Sequence, residues 1–180
     1  MIWPLQTEEM VNWFEQRTRS HISLVQELCS LICDIDLPQV ADHDSTKFAE
    51  PEYTPYIFLT WRYKLLSEGK TFIIPDELNN LIHEATLHHI LLNPHHAEHW
   101  NPDQTNDIVS ITDRDKPNKL IDATRMPKQF LAEMVADWKA VSIERNTNVL
   151  DWAKANIGIR WGFSDDQIRF IYDIIAKVEK

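Results

Sequence analysis

Only three glycines occur in the 180 residues, at positions 69, 158 and 162, and this scarcity restricts the possible folds more than any other feature. Hairpin-rich sheets use glycine in positive-φ turns, and dinucleotide or P-loop sites use it where the backbone meets phosphate. No GxGxxG, Walker or GxSxG pattern is present. Prolines stand instead at positions suited to the first turn of a helix. The expected fold is all-α. The charge narrows the function. Twenty-eight acidic against eighteen basic residues give −10, so long phosphate backbones are repelled at range and no long nucleic-acid partner is expected. A small phosphorylated substrate stays possible, because a metal or a local basic cluster can invert the field.

The spacing predicts one domain over residues 1–180, an irregular bundle of about six or seven helices. The first should run from about Thr7 to Cys33, with Phe14, His21, Val25, Leu28 and Ile32 on one face. Asp36-Leu37-Pro38 stops it, and a short helix or turn leads into His43-Asp44. Thr54 reads as an N-cap with Pro55 at the first helical position, and that helix ends near Gly69. Phe72–Ile74 is a short extended link. Pro75 opens a helix through Leu92, closed by Asn93-Pro94, and His95–Trp100 adds one or two turns. Residues 101–126 read as a long polar loop of the kind used as a lid or binding loop. Its basic residues Arg114, Lys116, Lys119 and Arg125, with Lys128 beside it, are interspersed with aspartates and read as a mixed solvent face. Pro127 restarts a helix with Phe130, Met134, Asp137 and Val141 on one face. Asn148–Asn156 forms a shorter helix, and Ser164-Asp165-Asp166-Gln167 is a capping box for the last one. Cys29 and Cys33 read as two buried thiols on one helical face in a reducing interior. The N-terminal segment lacks a targeting pattern, and no apolar run approaches the roughly 18 residues of a membrane span. A soluble cytoplasmic protein with no membrane partner is therefore expected.

The histidines are not scattered. All eight lie between positions 21 and 99, and six of them crowd the segment HEATLHHILLNPHHAEHW. Leu78, Ile82, Ala85, His89 and Leu92 share one helical face, which turns His89 inward; His88 is a close competitor and His83 is out of phase. His21 lies on the apolar face of the first helix, and Asp137 lies between Met134 and Val141 on that of its own. An ionised carboxylate buried without a partner costs several kcal/mol. Arginine could meet that need, and so could a divalent metal, which would also account for the inward histidines. In His43-Asp44 an imidazole nitrogen and a carboxylate oxygen can reach one cation, a pairing suited to a borderline divalent ion.

The order His21, His43-Asp44, Asp137 on successive helices resembles the HD superfamily of metal-dependent phosphohydrolases and related oxygenases. HISLVQEL carries the first histidine, HDSTK the pair and EMVADWKA the last aspartate. The combination HDSTKF, HHILLNPHH and MVADWKA looks especially like a branch of small HD-like proteins, over residues 10–142. The resemblance implies an HD-like helical fold and a centre of one or two divalent transition-metal ions (manganese, iron, zinc, nickel or cobalt). Its ligands would come from His21, His43, Asp44, His89, His95, His96 and Asp137. His95 and His96 are adjacent, and helical phase does not choose between them. Lys47, matching the His-Asp-x-x-Lys form, would bind phosphate beside Asp44, and these two are the candidate catalytic residues. The implied activity is hydrolysis of a small phosphorylated metabolite or nucleotide. The rival readings are a mixed-valent diiron oxygenase and a non-catalytic helical binding protein whose metal only stabilises the core. Trp100 reads as a lid over the helix junction in preference to an aromatic wall for substrate.

Overall fold

The computed structural model describes residues 4–32, 35–103 and 119–179. Among them the chain is all-α, with almost no strand. The helices are α1 (Glu8–Ser30), α2 (Tyr53–Ser67), α3 (Asp76–Leu92), α4 (Lys128–Arg145), α5 (Val149–Asn156) and α6 (Asp165–Val178). Short 3-10 helices cover Pro38–Asp42, Ser45–Phe48 and Ala97–Trp100. Two-residue strands β1 (Ile121–Asp122) and β2 (Trp161–Gly162) pair in parallel. No described helix is long and apolar enough to cross a membrane.

The chain packs as two compact units. Unit 1 takes the residues up to Ser20 and Asp44–His89; unit 2 takes His21–His43 and the chain from Ile90 onward. The chain thus passes between units at three peptide bonds, after Ser20, His43 and His89.

Unit 1 is organised around apolar residues from the first half of α1, from α2 and from α3. Met10, Phe14, Tyr56, Ile57, Phe58, Leu59, Ile74, Leu78 and Ala85 are buried together. Phe14 meets the edge of Tyr53 at 5.4 Å, and the Tyr53 hydroxyl donates to Glu15 at 2.8 Å. The helix start expected at Thr54 lies earlier. Glu52 occupies the N-cap position of α2, and Thr54 donates its hydroxyl to Glu50 inside the first turn. Pro55 is tolerated there because first-turn N–H groups have no intrahelical acceptor. Gly69, at φ 72, ends the segment in a conformation that favours glycine.

Unit 2 is built on α4, which is buried on nearly every side and packs on α6 and α5. The expected capping box forms: Ser164 accepts from the Gln167 backbone, and Gln167 returns a side-chain bond to the Ser164 N–H. The Gln167 amide also donates to the carbonyls of Ala123, Thr124 and Met126, tying the segment after β1 to α6. Trp138 stacks on Trp161 at 5.0 Å, and buried Glu98 accepts from the Trp161 indole at 2.9 Å. Part of the expected loop 101–126 is therefore structured as β1 and its flanks. Residues 104–118 of that loop, with Arg114 and Lys116, lie outside the described residues, as does Cys33. Leu92 departs from its expected inward phase and is exposed at the end of α3.

Removing the Ser164 cap by Ser164→Ala should cost about 1 kcal/mol, the typical value of an N-cap oxygen. Chemical denaturation measures this, and an unchanged midpoint would contradict the role given to the cap.

Candidate metal centre

Three acidic residues of α4, Glu133, Asp137 and Glu144, are spaced four and then seven apart, so they lie on one helical stripe. In unit 2 this stripe meets imidazoles. His21 on α1 brings Nδ1 to 2.8 Å from Glu144 Oε1 and Nε2 to 3.0 Å from Asp137 Oδ1. His43, after the first 3-10 helix, brings Nδ1 to 2.8 Å from Glu133 Oε1. His95, after the Asn93-Pro94 turn, brings Nδ1 to 3.4 Å from the same oxygen. The rings follow one another, with 5.7 Å between the centroids of His21 and His43 and 4.3 Å between those of His43 and His95. His21, His43, His95 and Glu133 are all buried. Donor atoms of His43, His95 and Glu133 lie within 4.8 Å of one another, a distance that fits ligation of one ion.

The charges in unit 2 depend on one another. Burial works against a charge on Asp137. The hydrogen bond from His21 and the fields of His21, His43 and His95 outweigh it and hold the carboxyl well below the usual range. The buried Cys29 thiol is pushed up to about 12, by burial first and then by the charges of Glu133 and Asp137. It stays protonated near neutrality and is no nucleophile. Cys29 also lines an open cleft of about 460 Å³ between the end of α1 and Leu37–Ala41.

Unit 1 repeats the arrangement around Glu52, whose side chain is fully buried. His88 Nδ1 lies 2.7 Å from Oε1; His89 Nδ1 lies 2.8 Å from Oε2, to which Thr46 also donates at 2.9 Å. His89 Nε2 is then 3.1 Å from Asp44 Oδ1. Asp44 takes a left-handed backbone, φ 58, which short polar residues tolerate, and its other oxygen pairs with the Lys47 ammonium at 2.5 Å. Burial pushes Glu52 toward a raised pKa. The hydrogen bonds from His89, His88 and Thr46, with the charge of His89, outweigh that and leave it below its usual value.

Within unit 2 the structure brings together His21, His43, His95 and Asp137, and within unit 1 Asp44, Lys47 and His89. His95 is the adjacent histidine that meets the carboxylate stripe; the His96 ring lies 4.3 Å from the His95 ring and is only partly buried. His88 is not idle, since it shares Glu52 with His89. His83 is partly buried, and His99 bonds the Leu91 carbonyl at 2.6 Å, a local structural role. Trp100 donates to the Pro94 carbonyl and packs on Phe130. Sequence reasoning missed Glu52, Glu133 and Glu144. The signal was present for two of them, as a stripe shared with Asp137.

A family model described as a family of unknown function (DUF5662) matches residues 10–177, and the chain belongs to that family. No curated protein and no solved structure matches it.

The depressed carboxyl of Glu52 has a definite pH signature. A group with a lowered folded-state pKa adds stability that is complete above its unfolded value and is lost as pH falls through the folded one. The stability gap between wild type and Glu52→Gln should therefore be largest near neutrality and shrink at acid pH. Denaturant titrations across that range check it, and a gap that widens on acidification would contradict the assignment.

Proposed function

We propose that the protein is a metal-dependent phosphohydrolase of HD type, acting on a small phosphorylated metabolite or nucleotide. The observation that carries this reading is His21, whose two ring nitrogens each face a carboxylate. A carboxylate can only accept, so such a ring is either cationic or bridged to its aspartate by a metal. His89 repeats the arrangement between Glu52 and Asp44. Imidazole nitrogen with carboxylate oxygen is the donor set of a borderline divalent transition metal, so the residues fit such an ion. In unit 2 the proposed ligands are His21, His43, His95 and Asp137; in unit 1 they are Asp44 and His89.

A bound divalent ion would lower the pKa of a coordinated water and polarise a phosphoryl oxygen. The protein's own groups do the rest. Lys47 holds its ammonium against Asp44 and 5.6 Å over the Tyr56 ring, and it is the group that would meet a substrate phosphate. Asp44 is also one of the residues that would hold the ion, so a bound metal would compete with Lys47 for its oxygens. The charge of −10 favours short substrates, because a polyanion meets repulsion along its whole approach while a monophosphate feels the local cation.

Protein purified without added metal should contain one or two equivalents of a divalent transition metal by elemental analysis. It should release inorganic phosphate from some member of a panel of nucleotides and sugar phosphates, and a chelator should stop the release. Asp44→Ala should lose metal and turnover together. Lys47→Ala should keep its metal and lose about 100-fold in turnover, the scale of one transition-state donor. Metal loss in Lys47→Ala would contradict this division of roles. Bound iron with oxygen consumption and no phosphate release would move the assignment to the oxygenase reading.

A further inference from the structure

The carboxylate–imidazole pairs seen within each unit divide by the ring nitrogen that the carboxylate meets. Glutamates take Nδ1: Glu144 on His21, Glu133 on His43 and His95, Glu52 on His88 and His89. Aspartates take Nε2: Asp137 on His21, Asp44 on His89. Because a carboxylate only accepts, each Nδ1 it meets carries the hydrogen, and in a neutral ring the lone pair is then at Nε2. We infer that Glu133, Glu144 and Glu52 are positioning residues that stand behind the histidines and present Nε2 to a metal, while the aspartates stand on the metal side. This inference rests on the metal reading of the preceding subsection.

Glu133 is the decisive member. Its donor atom lies close enough to those of His43 and His95 to be a third ligand. Yet its Oε1 already accepts from His43 Nδ1 at 2.8 Å and faces His95 Nδ1 at 3.4 Å. Ligation through Nδ1 would require both rings to give up the hydrogens that face this oxygen. Ligation through Nε2 keeps them, and one carboxylate then fixes the tautomer and tilt of two rings at once. Buttressing of this kind typically changes metal affinity by about 10- to 100-fold.

The test uses the full chain with ¹⁵N-labelled histidine, first metal-free and then with ¹¹³Cd²⁺ as the probe. In the metal-free protein, long-range ¹H–¹⁵N spectra should show His43 and His95 with hydrogen on Nδ1. On adding ¹¹³Cd²⁺, scalar coupling should appear at Nε2 of His21, His43 and His95. Glu133→Gln should weaken Cd²⁺ binding by about 10- to 100-fold and loosen the Nδ1–H preference of His43 and His95 in the metal-free spectra, a change that a merely structural role would not produce. Glu144→Gln, at the solvent edge of α4, should do the same through His21 alone; it keeps the test open if Glu133→Gln fails to fold. Coupling at Nδ1, or metal-free rings with hydrogen only on Nε2, would overturn the inference. A protein that binds no Cd²⁺ while its rings still carry hydrogen on Nδ1 would overturn the metal reading and leave the tautomer assignment standing.

Discussion

A carboxylate taken out of water has to be met by donors or by a cation, or the cost runs to several kcal/mol. In unit 2 this constraint acts on α4, which carries Glu133 fully and Asp137 partly out of water on a helix packed on nearly every side. Much of the unit's arrangement answers it. The second half of α1 supplies His21, the 3-10 helix after it delivers His43, and the Asn93-Pro94 turn delivers His95. His21 and His43 donate to the stripe and His95 faces it, so the orientation of α1 and of two irregular segments is fixed by polar contacts as well as by apolar packing. A hydrogen bond to a charged group is worth roughly 1.5–3 kcal/mol, more than a neutral one. Losing one ring would also leave a buried charge without its donor.

Unit 1 solves the same problem with one glutamate and two adjacent histidines. Residues 88 and 89 are separated by about 100° around a helix, so they ordinarily serve different faces. The two oxygens of Glu52 span that angle, one to each ring. The result is a rigid mount for His89, whose far nitrogen reaches Asp44. Asp44 in turn holds Lys47, so a ligand that draws on Asp44 changes what the ammonium can do. Charge and position of the proposed phosphate-binding group are coupled through a single carboxylate.

Much of this was legible from residue types. Helical phase placed His21 and His89 inward and Asp137 at a partly buried position, because an apolar face with one polar intruder is a strong periodic signal over a long helix. It could not rank His95 against His96, which sit in a turn where phase has no meaning; contact with Glu133 settles which ring joins the stripe. The buttressing glutamates were passed over for a physical reason. A glutamate on a helix is ordinarily solvated, so the four-residue spacing of Glu133 and Asp137 does not by itself mark Glu133 as buried. Burial of α4 on nearly all sides erases the polar face that would have marked the difference. Glu52 has no periodic signal, since it precedes α2. The early start of α2 was hidden by Thr54-Pro55, which imitates a cap and first turn, and two-residue strands such as β1 and β2 are too short for any alternation to show.

The central claim is that these buried imidazoles and carboxylates are a metal centre and not only a hydrogen-bonded core. Anomalous diffraction from crystals of the full chain grown with Mn²⁺ or Zn²⁺ tests it most directly. The account predicts a peak in unit 2 at about 2.0–2.2 Å from histidine nitrogens and aspartate oxygens, on the Nε2 side of His21, His43 and His95. A map with no peak there, and His21 Nε2 still within hydrogen-bond distance of Asp137, would contradict it.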